Sequence, residues 1–354
     1  MRMLLDCSQT YRSDLHTGIQ RVVRNLINCS QAQGQWAEAP CIAVQFGREG
    51  FRRVEEQLEY ASSIPVAPQI PHALTSMYAR LRALLGKLVP LPLVRQFLFA
   101  PGADFGLTNI LKTGLTVLRS PRFLLQWGRP AVQGQAVALQ PGDIVVVLEP
   151  FFSTQFWHTV AKTPDVRVVT LMHDIFPLTH PQFFSAVLVE HFREWFQHAI
   201  HQSAALITTS QATQDAIQEY LTERPRLTDG RRLPIGHFRP GADLDGQRGA
   251  GAVRQSVQAL LSQGPDAYLC VGTLEARKNV GFVLDAFDRL WAQGVAVRLI
   301  FVGRPGWNAG AVLTRIRHHP RLGQSLLLLE DLNDAELDLA YRHARALVMA
   351  SQAE

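Results

Sequence analysis

Cysteine is scarce. Cys7, Cys29, Cys41 and Cys270 are the only four in 354 residues, and no two form a C-x-x-C pair. That pattern excludes a disulfide-stapled scaffold and suggests no zinc site. Unpaired thiols suit a reducing cytoplasm. Lysine is equally scarce: Lys87, Lys112, Lys162 and Lys278 stand against 31 Arg. Long apolar runs are missing too. Ile144 to Leu148 is five residues, and Leu88 to Val94 is bounded by Lys87 and Arg95. Both fall far short of the roughly 18 residues of a membrane span. The start, Met1-Arg2-Met3-Leu4-Leu5-Asp6, has no long apolar core, so no secretory leader is expected. Charged residues make up 18% and hydrophobic ones 47%, which is too apolar for a mainly disordered chain. The net charge of +5 leaves an anionic substrate or an anionic lipid surface as partners. The basic residues are scattered rather than clustered, which argues against nucleic acid. These readings give a cytoplasmic protein, with peripheral contact to a membrane left open.

What is present is an alternation of short apolar runs and amphipathic stretches. A strand is expected at Met3 to Cys7, a loop at 8–18, and a helix from Ile19 to about Ala32. On that helix Ile19, Val22, Val23, Leu26 and Ile27 recur at helical spacing, with Arg21, Arg24 and Asn25 opposite. Ile42 to Phe46 reads as the next strand, giving the β-loop-α-β opening of a parallel sheet. Nine prolines break up residues 60–142. Inside that region, 77–99 is basic and apolar. A helix packed on its own domain is the simpler reading, and an amphipathic contact with an anionic membrane is the functional one.

Regular alternation resumes at Asp143 to Leu148. Further strands are expected at Val166 to Met172 and Ala205 to Thr209, and a helix at Ser210 to Leu221 with Ser210 as N-cap. The run from Asp245 to Gly251 is linker-like, and Gly264-Pro265-Asp266 restarts the chain. Beyond it the pattern is β-α-β-α-β-α-β, ending in a strand at Leu347 to Ala350. Two doubly wound domains facing a cleft are expected, with ligands beyond the carboxyl ends of the strands.

Three places at those ends carry candidate chemistry. Gly18 opens a helix, where backbone amides can meet an anion, though a plain turn explains a lone glycine equally well. Gly272-Thr273-Leu274-Glu275-Ala276-Arg277-Lys278-Asn279 follows an apolar strand and precedes a helix. Two adjacent cations there can neutralise a diphosphate, against the simpler reading of a solvated pair. Neither G-x-x-x-x-G-K-[ST] nor G-x-G-x-x-G occurs, which argues against a P-loop and a dehydrogenase. His173-Asp174 ends a strand, and a His there can donate to a sugar hydroxyl or act catalytically on a proton, or simply be structural.

Taken in order, "TGIQRVVRNL" (17–26), "LMHDIFPLTHP" (171–181), "RPGADL" (239–244), "VGTLEARKNVGFVLDAF" (271–287), "FVGRPGW" (301–307) and "SQAE" (351–354) resemble the family 4 glycosyltransferases of GT-B fold, in the mannosyltransferase-like branch of bacterial surface polysaccharide synthesis. The resemblance implies two Rossmann-like domains. Residues 1–245 would be the acceptor side, with a divergent insertion at about 50–140. Residues 264–354 would be a partial, incomplete donor nucleotide-sugar-binding domain. It implies that Gly18, Gly272 and Thr273 face the donor, that His173 lies beside the donor sugar, and that Lys278 with Arg277 binds the diphosphate. Many members carry Gly-Arg where this chain has Gly272-Thr273. Glu354 would be the first of two spaced Glu residues, acting at the reacting face. The second, with the remaining donor strands, would lie past residue 354, so a truncated chain is expected. The implied reaction is retaining transfer of a hexose from a nucleotide-sugar to a lipid-linked bacterial glycan. No cofactor and no metal are expected, since cations neutralise the leaving group. An inactive remnant or non-catalytic partner stays open as an alternative, and so does a GT-B nucleotide-sugar epimerase, against which "VGTLEARKN" argues.

Overall fold

Runs of β-branched residues flanked by glycine and amphipathic helices become two mainly parallel sheets in a computed structural model of the protein. It describes residues 1–12, 18–36, 39–47, 49–55, 134–150, 152–241, 252–262, 264–306 and 309–354. The stretch 77–99 lies outside the described residues. Both sheets belong to one compact unit.

The larger sheet comprises β1 (Met3–Asp6), β2 (Gln35–Trp36), β3 (Ala39–Gly47), β4 (Gly50–Arg53), β5 (Ala136–Val137), β6 (Ile144–Val147), β7 (Arg167–Met172), β8 (Ser203–Thr208) and β9 (Ile235–His237). Its order is β5-β4-β3-β1-β6-β7-β8-β9, with β2 beside β3. Pairings from β3 through β9 are parallel, while β4, β5 and β2 add antiparallel edges. The smaller sheet comprises β10 (Ala267–Val271), β11 (Arg298–Val302), β12 (Leu326–Leu329) and β13 (Ala344–Leu347), all parallel, in the order β12-β11-β10-β13. Chain direction through each sheet reverses once, between β1 and β6 and between β10 and β13. Open parallel sheets bind ligands at such points.

Helices cover both faces, as a parallel sheet requires. Helix α1 (Ser8–Arg12) occupies part of the expected 8–18 loop, and α2 (Gly18–Gln33) follows. Val23 and Ile27 of α2 bury themselves against Leu5, Cys7, Ala43 and Leu148. Arg24, expected on the outer face, is buried with Gln20, because residues four apart share a helix face. Helix α3 (Thr154–Ala161) inserts Phe156 edge-on to Phe46 at 5.4 Å. After α4 (Phe176–Thr179), α5 (Ala186–Gln202) is capped by Ser185, whose hydroxyl accepts from the Leu188 amide at 3.3 Å. It buries Val189, Phe192, Trp195, Phe196 and Ala199 at helical spacing. Ser210 caps α6 (Gln211–Thr222), accepting from the Thr213 amide at 3.1 Å.

Helix α7 (Gln255–Ser262) stands in the stretch just before the expected restart at 264, with Val257 and Leu261 buried against Leu269 and Ile300. Then come α8 (Val280–Ala292), α9 (Gly310–Arg317) and α10 (Asp334–His343). Asn333 and Glu336 form a reciprocal capping box on α10. The last strand falls at 344–347 rather than 347–350. Ala344, the C-cap of α10, is already extended, so the helix passes into β13 without a loop. No helix among the described residues is long and apolar enough to cross a membrane.

Candidate functional site

The carboxyl end of the larger sheet is built around two buried carboxyls at its reversal point. Asp6 closes β1, and its Oδ1 accepts from the Ser8 amide at 3.3 Å and from the Ser8 hydroxyl. Glu149 follows β6 and takes two bonds from Thr10. The amide donates to Oε1 at 2.6 Å and the hydroxyl to Oε2 at 2.8 Å. Helix α1 is thereby fastened across the gap between β1 and β6. Burial pushes the Asp6 carboxyl up to about 6, against the Ser8 bonds and the charge of Arg12. Burial likewise pushes Glu149 up to about 7, against the Thr10 bonds. Asp6 Oδ2 has no hydrogen-bond partner among the described residues.

One strand over, His173 follows β7. Its Nε2 lies 2.9 Å from the Leu148 carbonyl oxygen. A carbonyl oxygen only accepts, so Nε2 carries the hydrogen. Burial lowers the imidazole pKa, so the neutral ring keeps Nδ1 as an acceptor. The backbone carbonyl of His173 takes hydroxyl bonds from Thr209 and Thr213, at 3.2 Å each, which fixes the turn. Asp174 accepts from the Phe176 amide at 3.1 Å. Burial raises its pKa, while that amide and the charge of Arg277 act the other way.

The smaller sheet supplies the cations. Gly272 leaves β10 with φ +140°, and its amide donates to Val302 at 2.9 Å. Gly303, after β11, has φ +148°, and a Cβ there would stand 2.0 Å from the Gly272 oxygen. The loops after β10 and β11 therefore lie flush, and only glycine permits it. Arg277 and Lys278 occupy a single 3-10 turn, Ala276–Lys278. Arg277 Nε donates to Glu275 at 3.0 Å, and Nη1 donates to the Ala353 carbonyl at 3.0 Å and to Glu354 at 3.2 Å. Lys278 donates to both carboxylate oxygens of Glu354. Burial pushes the Glu354 carboxyl up, but the bond and charge of Lys278, with the charge of Arg277, outweigh it and hold it below its ordinary value. Gly272, Thr273 and Lys278 line one shallow depression with Ser351.

The two sheets meet at this place. The Arg277 guanidinium lies 5.5 Å from the centre of the Phe176 ring, within cation–π range. Arg21 of α2 pairs with Asp334 of α10. Of the residues singled out in the sequence, Arg277, Lys278, Glu354, Gly272 and Thr273 come together, and Arg277 touches the loop that carries His173. Gly18 begins α2, three residues before Arg21, with nothing within 4 Å of a built Cβ. No described contact joins it to the cations. Asp6, Thr10, Glu149 and Phe176 were not evident. A carboxylate directly after an all-apolar strand was the available signal for Asp6 and Glu149. Among the described residues, no three His, Cys, Asp or Glu come together to hold a metal.

Residues 254–354 match the family described as glycosyl transferases group 1. Over 187 residues the chain is 31% identical to a serotype-specific mannosyltransferase, WbdA, of Escherichia coli. The match covers 52% of this chain and 23% of that protein, so the chain spans about a quarter of that relative's length. Among solved structures, Anabaena Alr3699/HepE in complex with UDP aligns with a TM-score of 0.46 at 14% identity, covering 100% of this chain and 75% of that one. A UDP-forming α,α-trehalose-phosphate synthase from Burkholderia xenovorans aligns with a TM-score of 0.42 at 17% identity, covering 60% and 54%.

Proposed function

We propose that the chain is a GT-B glycosyltransferase moving a hexose, mannose-like, from a nucleotide-sugar to a growing lipid-linked bacterial polysaccharide, with retention. One observation carries the reading. Arg277 and Lys278 sit at the reversal point of the smaller sheet, inside the segment that matches the family, against the His173-Asp174-Phe176 loop of the larger one. The mannosyltransferase likeness supports the choice of sugar and of polymer.

In this reading the sugar's bond to the diphosphate breaks as oxocarbenium charge develops at the anomeric carbon. Lys278 and Arg277 balance the charge on the departing diphosphate, in the role a metal plays elsewhere. Glu354 faces the sugar, and neutral His173 offers Nδ1 to a sugar hydroxyl. Gly18, Gly272 and Thr273 bring backbone close to the donor. Residues 1–245 hold the acceptor and 264–354 the donor.

The test is direct. Purified chain is incubated with GDP-, UDP- and dTDP-hexoses and a polyprenyl-diphosphate-linked glycan. Saturable binding of a nucleotide-sugar, lost in Lys278→Ala, is the expected result, and extension of the glycan by one α-linked hexose is the stronger outcome. Binding of no nucleotide-sugar and no extension would overturn the reading.

A further inference from the structure

A second cavity, of about 150 Å³, opens between α3 and α5 and shares no residue with the Arg277–Lys278 site. One wall is a stripe of α5, in which His191, Glu194, Trp195 and His198 recur at helical spacing. The other is the start of α3, where Ser153 occupies the N-cap position but its hydroxyl caps nothing. Phe152 forms the lip. It is 45% exposed, and its ring stands 6.1 Å from that of His191 at 38°.

The lining combines apolar faces with polar groups left free. Glu194 makes no hydrogen bond or ion pair among the described residues. The indole N–H of Trp195, in a side chain only 2% exposed, has no partner either. His198 stacks on Trp157 at 6.0 Å and 14°, which holds its ring against the cavity.

Charge narrows the ligand. Among the described residues no Lys or Arg lines the cavity, and a carboxylate does. Burial and the neighbouring His158 lower the His198 pKa, against the charge of Glu194, which disfavours the cationic ring. Phosphate, sulfate and nucleotides are disfavoured. No metal-holding trio forms among the described residues. A hydroxyl-rich, uncharged ring fits what remains. Its C–H face packs on Phe152 and His191, a pair of its hydroxyls donate to the Glu194 carboxylate, and another accepts from or donates to Ser153. The cavity volume suits a single ring.

We propose that this cavity is a binding subsite for a pyranose unit of a neutral glycan. It deepens the transferase reading and rests on it only for why a glycan is at hand. Phe152 stands three residues after Glu149, so the subsite lies along the same edge of the larger sheet as His173.

The experiment uses the full chain with no nucleotide present. Linear tri-mannose, tri-glucose and tri-galactose are titrated, following saturation-transfer NMR and tryptophan fluorescence. Saturable binding of at least one is expected, weakened fivefold or more by Phe152→Ala and by Glu194→Ala. Both side chains are exposed, so both variants should keep the parent melting temperature and the parent affinity for UDP and GDP. Binding of none of the three, or binding that neither variant weakens, would overturn the proposal. Nucleotide binding through Lys278 is measured separately. Loss of that alone would sink the transferase reading and leave the subsite standing.

Discussion

The ammonium of Lys278 is committed to both carboxylate oxygens of Glu354, and Arg277 reaches the same carboxylate at 3.2 Å. A diphosphate arriving at these cations therefore meets a carboxylate already in place. The Glu354 side chain is 44% exposed, so the pair contributes no more than about 1 kcal/mol. An incoming dianion can displace it at that cost. Glu354→Gln should tighten binding of free UDP or GDP roughly three- to tenfold, whereas Lys278→Ala should weaken it at least tenfold. Titration calorimetry decides. Unchanged affinity in both variants would remove the two residues from any diphosphate site.

The buried carboxyl of Glu149 should make stability depend on pH. Its ordinary value of 4.5 is raised to about 7 in the folded chain. Between those values the folded state binds the proton more tightly than the unfolded one. Its stability contribution is therefore full below pH 4.5 and lost as pH rises through 7. In Glu149→Gln, the amide can still accept from the Thr10 backbone and donate to its hydroxyl, without the buried charge. The variant should be more stable than the parent by ~1–3 kcal/mol at pH 8, with no advantage at pH 4.5. Thermal melts at both values check it. Equal melting at pH 8 would rule out a buried charge there.

His173 should behave as a neutral side chain across the physiological range. Its pKa is lowered by burial, and Nε2 is held by the Leu148 carbonyl. NMR titration should place the imidazole below its ordinary 6.5. On the proposed transferase reading, His173→Ala should lower transfer ~10²-fold, on the scale of one lost polar contact in the transition state. A cationic His173 at pH 7 would contradict the geometry.

Gly303→Ala should be among the most damaging single-methyl additions. The new Cβ would lie 2.0 Å from the Gly272 oxygen, at a φ of +148° that alanine avoids. A loss of ~3 kcal/mol or more is expected, the range of severe backbone strain and overpacking. Hydrogen exchange should quicken at 272–275 and 303–306 first. Parent-like exchange there would show that the loops can part freely.

Local signals made part of this legible. The period of Val23 and Ile27, the Ser210 cap and the strand-loop-helix around Arg277-Lys278 are all encoded within a dozen residues. Asp6 and Glu149 were not, because their meaning comes from β1 lying beside β6 across more than a hundred residues. A long gap, from Phe51 to Val137, likewise hid the β4–β5 pairing. The apolar run 347–350 suggested a strand there. Register with β10, which pairs Ala267 with Ala344 and Leu269 with Leu347, placed it earlier. Arg24 looked external by residue type, and only the wrap of α2 on the sheet buries it.

Arg254 bears on the mechanics of the molecule. Its guanidinium bonds Glu336 at 2.6 and 2.7 Å and Asp331 at 2.7 Å, before α7 begins. The chain is thus fastened to the smaller sheet at that residue. Across the seam Arg21 grips Asp334. Asp334 sits in the first turn of α10, where the helix's own amides favour a carboxylate with or without Arg21. Without Arg21, Asp334 would still keep a favourable setting. The contact therefore works as a light latch, easily sprung by salt, rather than as a weld.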